Sequence, residues 1–186
     1  GTLLTATSHA FYQGSLQSTG EPFHMAISGE GFFQVTDPEG QVRYTRAGDF
    51  QRDAEGRLVN SQGHFLTPPI TIPEEVTETY VDADGRVLGA PANEGEAPQL
   101  FGTVQIASFA NEDGLVNVGE NSFVPGIASG PAELGAPGAG QRGLLRNGFL
   151  ENSNVDLGRE MVTMLRTHRT YSLSLRALSM ADRLHG

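Results

Sequence analysis

The sequence predicts a mainly β protein, in which a central antiparallel domain of hairpins and meander is followed by one long C-terminal α-helix. Three observations carry this reading. Short β-rich runs alternate with Asp/Asn-x-x-Gly turns over much of the chain. A proline-dense segment at 67–73 interrupts them where a helix is impossible. Beyond Ser153 the apolar period changes from two to 3.6, the helical value.

Taken in order, Phe32-Phe33-Gln34-Val35 and Gln41-Val42-Arg43-Tyr44-Thr45 flank Asp37-Pro38-Glu39-Gly40 and read as a hairpin. Phe50-Gln51-Arg52 and Arg57-Leu58-Val59 repeat the device around Asp53-Ala54-Glu55-Gly56, where glycine supplies the positive φ of the turn. A meander is the simplest sum of the two. Thr67 to Pro73 is then an edge or connector. Thr79-Tyr80-Val81 and Arg86-Val87-Leu88 flank Asp82-Ala83-Asp84-Gly85 as a third hairpin, and 89–99 reads as an exposed loop. Phe101 to Phe109 reads as one longer strand, turned by Asn111-Glu112-Asp113-Gly114, with Leu115-Val116-Asn117-Val118 returning along it. Residues 125–143 hold six Gly and three Pro and read as an irregular loop.

The helix begins at a marked cap. Ser153 and Asp156 have capping-box spacing. Leu157, Met161, Met164, His168, Tyr171, Leu175 and Leu178 then step by 4, 3, 4, 3, 4 and 3, a coiled-coil-like seam that Val162 and Leu165 widen. Nothing in residues 1–152 offers an obvious helical partner, so the stripe points to a partner beyond the β body, with docking on its own sheet as the alternative. The expected organisation is an extended N-terminal connector (1–25), a β-rich central domain (26–150) and a C-terminal assembly helix (151–186).

Composition removes several classes of function. The chain has 186 residues, 38% of them hydrophobic, with no Cys, no Trp and no Lys. Disulfide scaffolds, thiolate metal sites and cysteine nucleophiles are therefore excluded. The net charge of −10 is uneven: residues 1–152 carry 7 Arg against 19 acids, whereas 153–186 carry 5 Arg against 3 acids. An acidic body repels phosphate, so nucleic acid is a poor partner. No run of about 18 apolar residues suggests a membrane span.

Enzyme-like motifs are weak beside their structural readings. Gly138-Ala139-Gly140-Gln141-Arg142-Gly143 fits G-x-G-x-x-G, but it follows a Pro/Gly loop rather than a strand, so no cofactor is expected. Asp82-Ala83-Asp84-Gly85 has glycine too early for a calcium loop. The five His show no ligand spacing, and a hydrolase built on Asp49 or His64 has no pattern to recommend it. Arg43, Arg46, Arg52 and Arg57 sit among acids and read as a salt-linked sheet face. No metal, cofactor, small-molecule substrate or catalytic residue is expected.

Two groups of residues carry a resemblance. Gly14-Ser15-Leu16-Gln17-Ser18-Thr19-Gly20, Ala26-Ile27-Ser28-Gly29-Glu30-Gly31-Phe32-Phe33 and Tyr44-Thr45-Arg46-Ala47-Gly48-Asp49-Phe50 stand near the start; Leu150-Glu151-Asn152-Ser153-Asn154-Val155-Asp156, Glu160-Met161-Val162 and Arg169-Thr170-Tyr171 stand near the end. Together the sequence resembles the flagellar rod and hook family of axial proteins, its distal-rod branch most closely. His24 stands where the family usually has an acidic residue. The family's N-terminal helix with its Asn-rich motif has no counterpart, so the sequence reads as a shortened form.

The resemblance implies a structural polymer subunit of the bacterial flagellar basal body, exported by the flagellar type III apparatus. It implies a terminal helix that packs with an N-terminal helix, and partners among other copies and other rod and hook proteins. Leu157, Met161, Met164, Leu165, His168, Tyr171, Leu175 and Leu178 are the expected assembly residues. The modest β insert argues against the larger hook proteins. A hook or proximal-rod subunit is the nearest alternative; a glycan-binding or adhesin module using exposed Tyr44 or Tyr80 is the alternative of another class.

Overall fold

The computed structural model describes residues 13–91 and 93–152, which lie in the first of the two units into which the chain divides after Asn152. The predicted C-terminal helix and its stripe lie outside the described residues. What is described is built of strands: β1 (Leu16–Ser18), β2 (Met25–Ser28), β3 (Phe32–Thr36), β4 (Val42–Thr45), β5 (Gln51–Arg52), β6 (Leu58–Val59), β7 (Phe65–Leu66) and β8 (Thr79–Val81). These are followed by β9 (Arg86–Gly89), β10 (Gln99–Thr103), β11 (Ile106–Ser108), β12 (Val116–Gly119), β13 (Ser122–Val124), β14 (Glu133–Gly135), β15 (Leu144–Asn147) and β16 (Phe149–Glu151).

All three predicted hairpins form. β3 pairs β4, β5 pairs β6 and β8 pairs β9, each antiparallel. Their turns share one chemistry. The Asp carboxylate accepts the amide four residues on (Gln41 2.8 Å, Arg57 2.8 Å, Arg86 2.9 Å) and the guanidinium of the following Arg (Arg43 3.1 Å, Arg57 3.1 Å, Arg86 2.8 Å). Asn60-Ser61-Gln62-Gly63 is a further copy, with His64 N donating to Asn60 Oδ1 at 2.9 Å. The expected salt-linked face is therefore real for Arg43 and Arg57, whereas Arg52 donates to the carbonyls of Pro73 and Val76.

The strand order departs from a meander. The main sheet runs β12-β13-β4-β3-β7-β6-β5, so the chain leaves β4 on one side of β3 and returns on the other. β3 is the reason: its free edge is shared, with β11 pairing Phe32 and Phe33 and β7 pairing Val35 and Thr36. The strand expected over 101–109 is likewise two. It breaks at Val104 and Gln105, leaving β10 in a three-stranded sheet with β9 and β8 while β11 joins the main sheet. The segment after the Asn111-capped turn does not return along β11. As β12 it pairs β13, whose Phe123 meets Tyr44. Within the loop expected over 125–143, Glu133–Gly135 forms β14 on the outer edge of β11.

Alternation along β3 sends side chains to two cores. Phe33 and Val35 face the larger one, with Met25, Ile27, Phe50, Leu58, Leu66, Ile70, Ile72, Val81, Val87, Val104, Ile106 and Leu145. Phe32 faces the smaller one, with Tyr44, Phe109 and Leu115, where Tyr44 and Phe109 meet edge to face at 5.0 Å between ring centres. The proline-rich connector earns its place by burial: Ile70 and Ile72 enter the larger core while Ile72 N donates to Gly56 O.

Candidate assembly site

The segment near the start of the described residues and the one near their end meet. β1 pairs antiparallel with β16, Leu16 opposite Glu151 and Ser18 opposite Phe149. The pairing continues outward, Asn152 N donating to Ser15 O at 2.8 Å and Asn152 Nδ2 to Ser15 Oγ at 2.9 Å. A methyl group at Gly14 would collide with the Asn152 carbonyl, so only glycine permits this approach. The connector expected over 1–25 thus contains a strand, and the segment leading into β2 is held as firmly. Asn147 Nδ2 donates to the carbonyls of Pro22 and His24, and its Oδ1 accepts Val81 N.

β1 buries little apolar surface, with only Leu16 half-buried, so packing does not hold the ribbon. One ionic node does. Arg46 Nε donates to Glu151 Oε1 at 2.9 Å and Nη2 to Oε2 at 3.0 Å, while the remaining N–H groups go to the carbonyls of Ile27 (3.0 Å), Gly29 (2.7 Å) and Gly31 (2.8 Å). All five guanidinium donors are used. The same Glu151 carboxylate accepts Gly14 N and Gln13 Nε2, both at 2.7 Å, and Gln13 Oε1 accepts Gly29 N at 2.7 Å. With its side chain only 8% exposed, Glu151 forms a forked, charge-assisted pair shielded from water. Both end segments are thereby fastened to the sheet through Arg46 at the end of β4.

A shallow groove of about 940 Å³ opens beside this node, lined by Glu30, Phe109, Glu112, Asp113, Arg142 and Leu144 among others. Burial and the neighbouring Glu30 push the Glu112 carboxyl above its ordinary range, and the Arg46 charge opposes them. Among the described residues, no three His, Asp or Glu side chains gather as a metal site would require.

The expected assembly residues Leu157, Met161, Met164, Leu165, His168, Tyr171, Leu175 and Leu178 lie outside the described residues. Of the two tyrosines expected to be exposed, Tyr44 is buried in the smaller core and donates to Gln34 Oε1 at 2.9 Å, whereas Tyr80 is 41% exposed. The burial of Tyr44 follows from the pleat, which turns it to the same face as Phe32. Asp49 and His64 sit on separate loops, and Asp49 Oδ1 and His64 Nδ1 are buried without a hydrogen-bond partner. The Arg46–Glu151 node was missed from sequence, although both residues stand inside the runs that carry the resemblance; 105 positions apart, they give no local signal.

Comparison with known proteins fits this arrangement. The family described as "Flagellar hook protein FlgE/F/G D1 domain" matches residues 26–89, and that described as "Flagellar basal body rod FlgEFG protein C-terminal" matches residues 146–186. The chain is 36% identical to the flagellar basal-body rod protein FlgG of Borreliella burgdorferi over 187 aligned residues, covering 100% of this chain and 71% of that protein. It is also 36% identical to the FlgG of Buchnera aphidicola from Acyrthosiphon pisum, over 96% of this chain and 68% of that protein. Against the flagellar hook protein FlgE of Salmonella typhimurium the identity is 38%, over 60% of this chain and 27% of the hook protein.

Proposed function

Because this chain belongs to the flagellar basal-body rod and hook family, and within it is of the FlgG type, we propose that its β body is a rigid block whose two ends leave together through the Arg46–Glu151 junction to make the axial contacts of the rod. The chain is a structural subunit of the bacterial flagellar basal-body rod and assembles with other flagellar axial proteins. The finer reading is a distal-rod subunit that catalyses no reaction and reaches its place through the flagellar export apparatus. Glu151 belongs to β16 rather than to the helix expected from 151, so the assembly helix of this reading runs from 153 to 186, with the stripe from Leu157 to Leu178 as its contact seam.

The observation that supports the reading best is the β1/β16 ribbon. A subunit that polymerises through paired ends needs both to emerge at one point in a fixed register, and a two-stranded ribbon pinned by a half-buried ion pair meets that need. The hook reading is weaker, since the match to the hook protein covers only 27% of it. A glycan-binding face keeps Tyr80 but loses Tyr44.

Deletion of the gene in its own bacterium, with basal bodies viewed by electron microscopy, tests this. Rods and hooks should vanish, return with the native sequence and fail to return with a form lacking residues 153–186. Complete basal bodies in the deletion strain would end the reading.

A further inference from the structure

A second surface lies on the three-stranded sheet β8–β9–β10, which Asn147 Oδ1 ties to β15 through Val81 N. Its inner face buries Val81 and Val87. By the alternation of a strand, the neighbouring residues turn outward, and the register aligns them: Tyr80 stands opposite Leu88, and Leu88 opposite Leu100. Tyr80 is 41% exposed and Leu100 55% exposed, with Leu88 half-buried between them. An ordered aromatic-aliphatic row across an outer sheet face is the pattern of an interface centre, where Tyr and large aliphatic groups gather.

The rim selects the partner. At the end of the sheet next to this row lie Glu74, Glu75 and Glu78 before β8, and Glu94 and Glu96 in the β9–β10 loop, all exposed. None of the ion pairs among the described residues engages them. At the other end Arg86 is matched by Asp82 and Asp84. Arg52 donates to the Pro73 and Val76 carbonyls. A second copy of this body, with 7 Arg against 19 acids in residues 1–152, would meet the rim with like charge.

We infer that the outer face of β8–β9–β10 docks a different protein, one presenting a Lys/Arg-rich surface around an apolar centre that covers Tyr80, Leu88 and Leu100. Contact with such a partner neutralises carboxylates that no ion pair among the described residues engages, Glu96 accepting the Asn93 side-chain amide at 3.0 Å, and removes the apolar row from water. Neither partner of the Arg46–Glu151 junction lies on this face, so substitutions on it test the docking separately from the rod reading.

The test is photo-cross-linking in flagellated cells that produce the full chain with benzoylphenylalanine at Leu100. The expected result is one major adduct with a chain other than this one, mapped by mass spectrometry to a Lys/Arg-rich segment. Its yield should fall about fivefold with Glu94→Lys and Glu96→Lys together, both exposed loop changes that leave the fold intact. An adduct between two copies of this chain overturns the inference, as does an absence of adduct. A yield indifferent to charge reversal, while the same cells still assemble flagella, overturns it too.

Discussion

Arg46 and Glu151 meet in a two-point pair, Nε to Oε1 at 2.9 Å and Nη2 to Oε2 at 3.0 Å, and this single contact joins β4 to the strand on which the described chain ends. Removing either partner strands a shielded charge. Glu151→Ala should cost about 3 kcal/mol, and Arg46→Lys about 2 kcal/mol, because an ammonium keeps the charge but loses the fork. Urea denaturation of the single and double variants gives the coupling between them. A coupling below about 0.5 kcal/mol would mean that the ribbon is held by something else.

Two turn glycines with nearly the same backbone should respond differently to alanine. Gly40 has φ +90° with open space around it, whereas Gly56 has φ +89° with the Ile72 carbonyl in the way of any Cβ. Gly40→Ala pays only the left-handed strain, about 1 kcal/mol; Gly56→Ala also displaces the proline-rich connector and should lose about 3 kcal/mol. In thermal melts that is roughly 2–4 °C against 6–12 °C. Equal shifts would show that the connector yields freely.

The pH profile of stability should rise before it falls on acidification. Glu112 titrates above its ordinary 4.5, held there by burial and Glu30, so its ionised form is disfavoured in the folded state; stability grows as pH drops from its raised value to about 4.5. Asp37 titrates below its ordinary 3.8, chiefly through the Gln41 amide and despite burial. For Asp53 burial works upward, but the Arg57 and Glu55 amides and the Arg57 guanidinium outweigh it. Their contribution is complete above pH 3.8 and is lost as pH falls through the lowered values. Glu112→Gln should flatten the rise and leave the acid limb in place; denaturation midpoints from pH 7 to 2.5 decide it.

Leu175→Asp combined with Leu178→Asp should leave the β body folded and abolish incorporation into rods. Circular dichroism with basal-body purification separates the two effects. Normal incorporation would remove these residues from the contact seam.

Local chemistry was legible and pairing at a distance was not. Asp37, Asp53 and Asp82 announce their turns because each closes its own loop within six residues, using the amide four positions on and an arginine four or six positions on. The shared edge of β3 could not be read, since Phe32 and Val35 look alike as strand residues and only the folded chain assigns one to β11 and the other to β7. Tyr44 was misplaced for a related reason: its exposure depends on which face β13 and Phe109 come to cover. The 101–109 run conceals its break because no glycine or proline stands at Val104 and Gln105, where the strand is interrupted, and Gly102 ahead of them reads equally as a bulge within one strand. Glu151 sits in a recognisable run, yet its role depends on an arginine 105 positions away.

The β1/β16 ribbon also fixes how this body is free to change. With Ser18 directly opposite Phe149, everything between them is in effect an insertion, entered and left at points one strand spacing apart, roughly 5 Å. A body attached by so narrow a neck is interchangeable: enlarged, trimmed or replaced, it returns the chain to the same place in the same direction. Grafting it between two adjacent strands of an unrelated scaffold should leave that scaffold's geometry undisturbed.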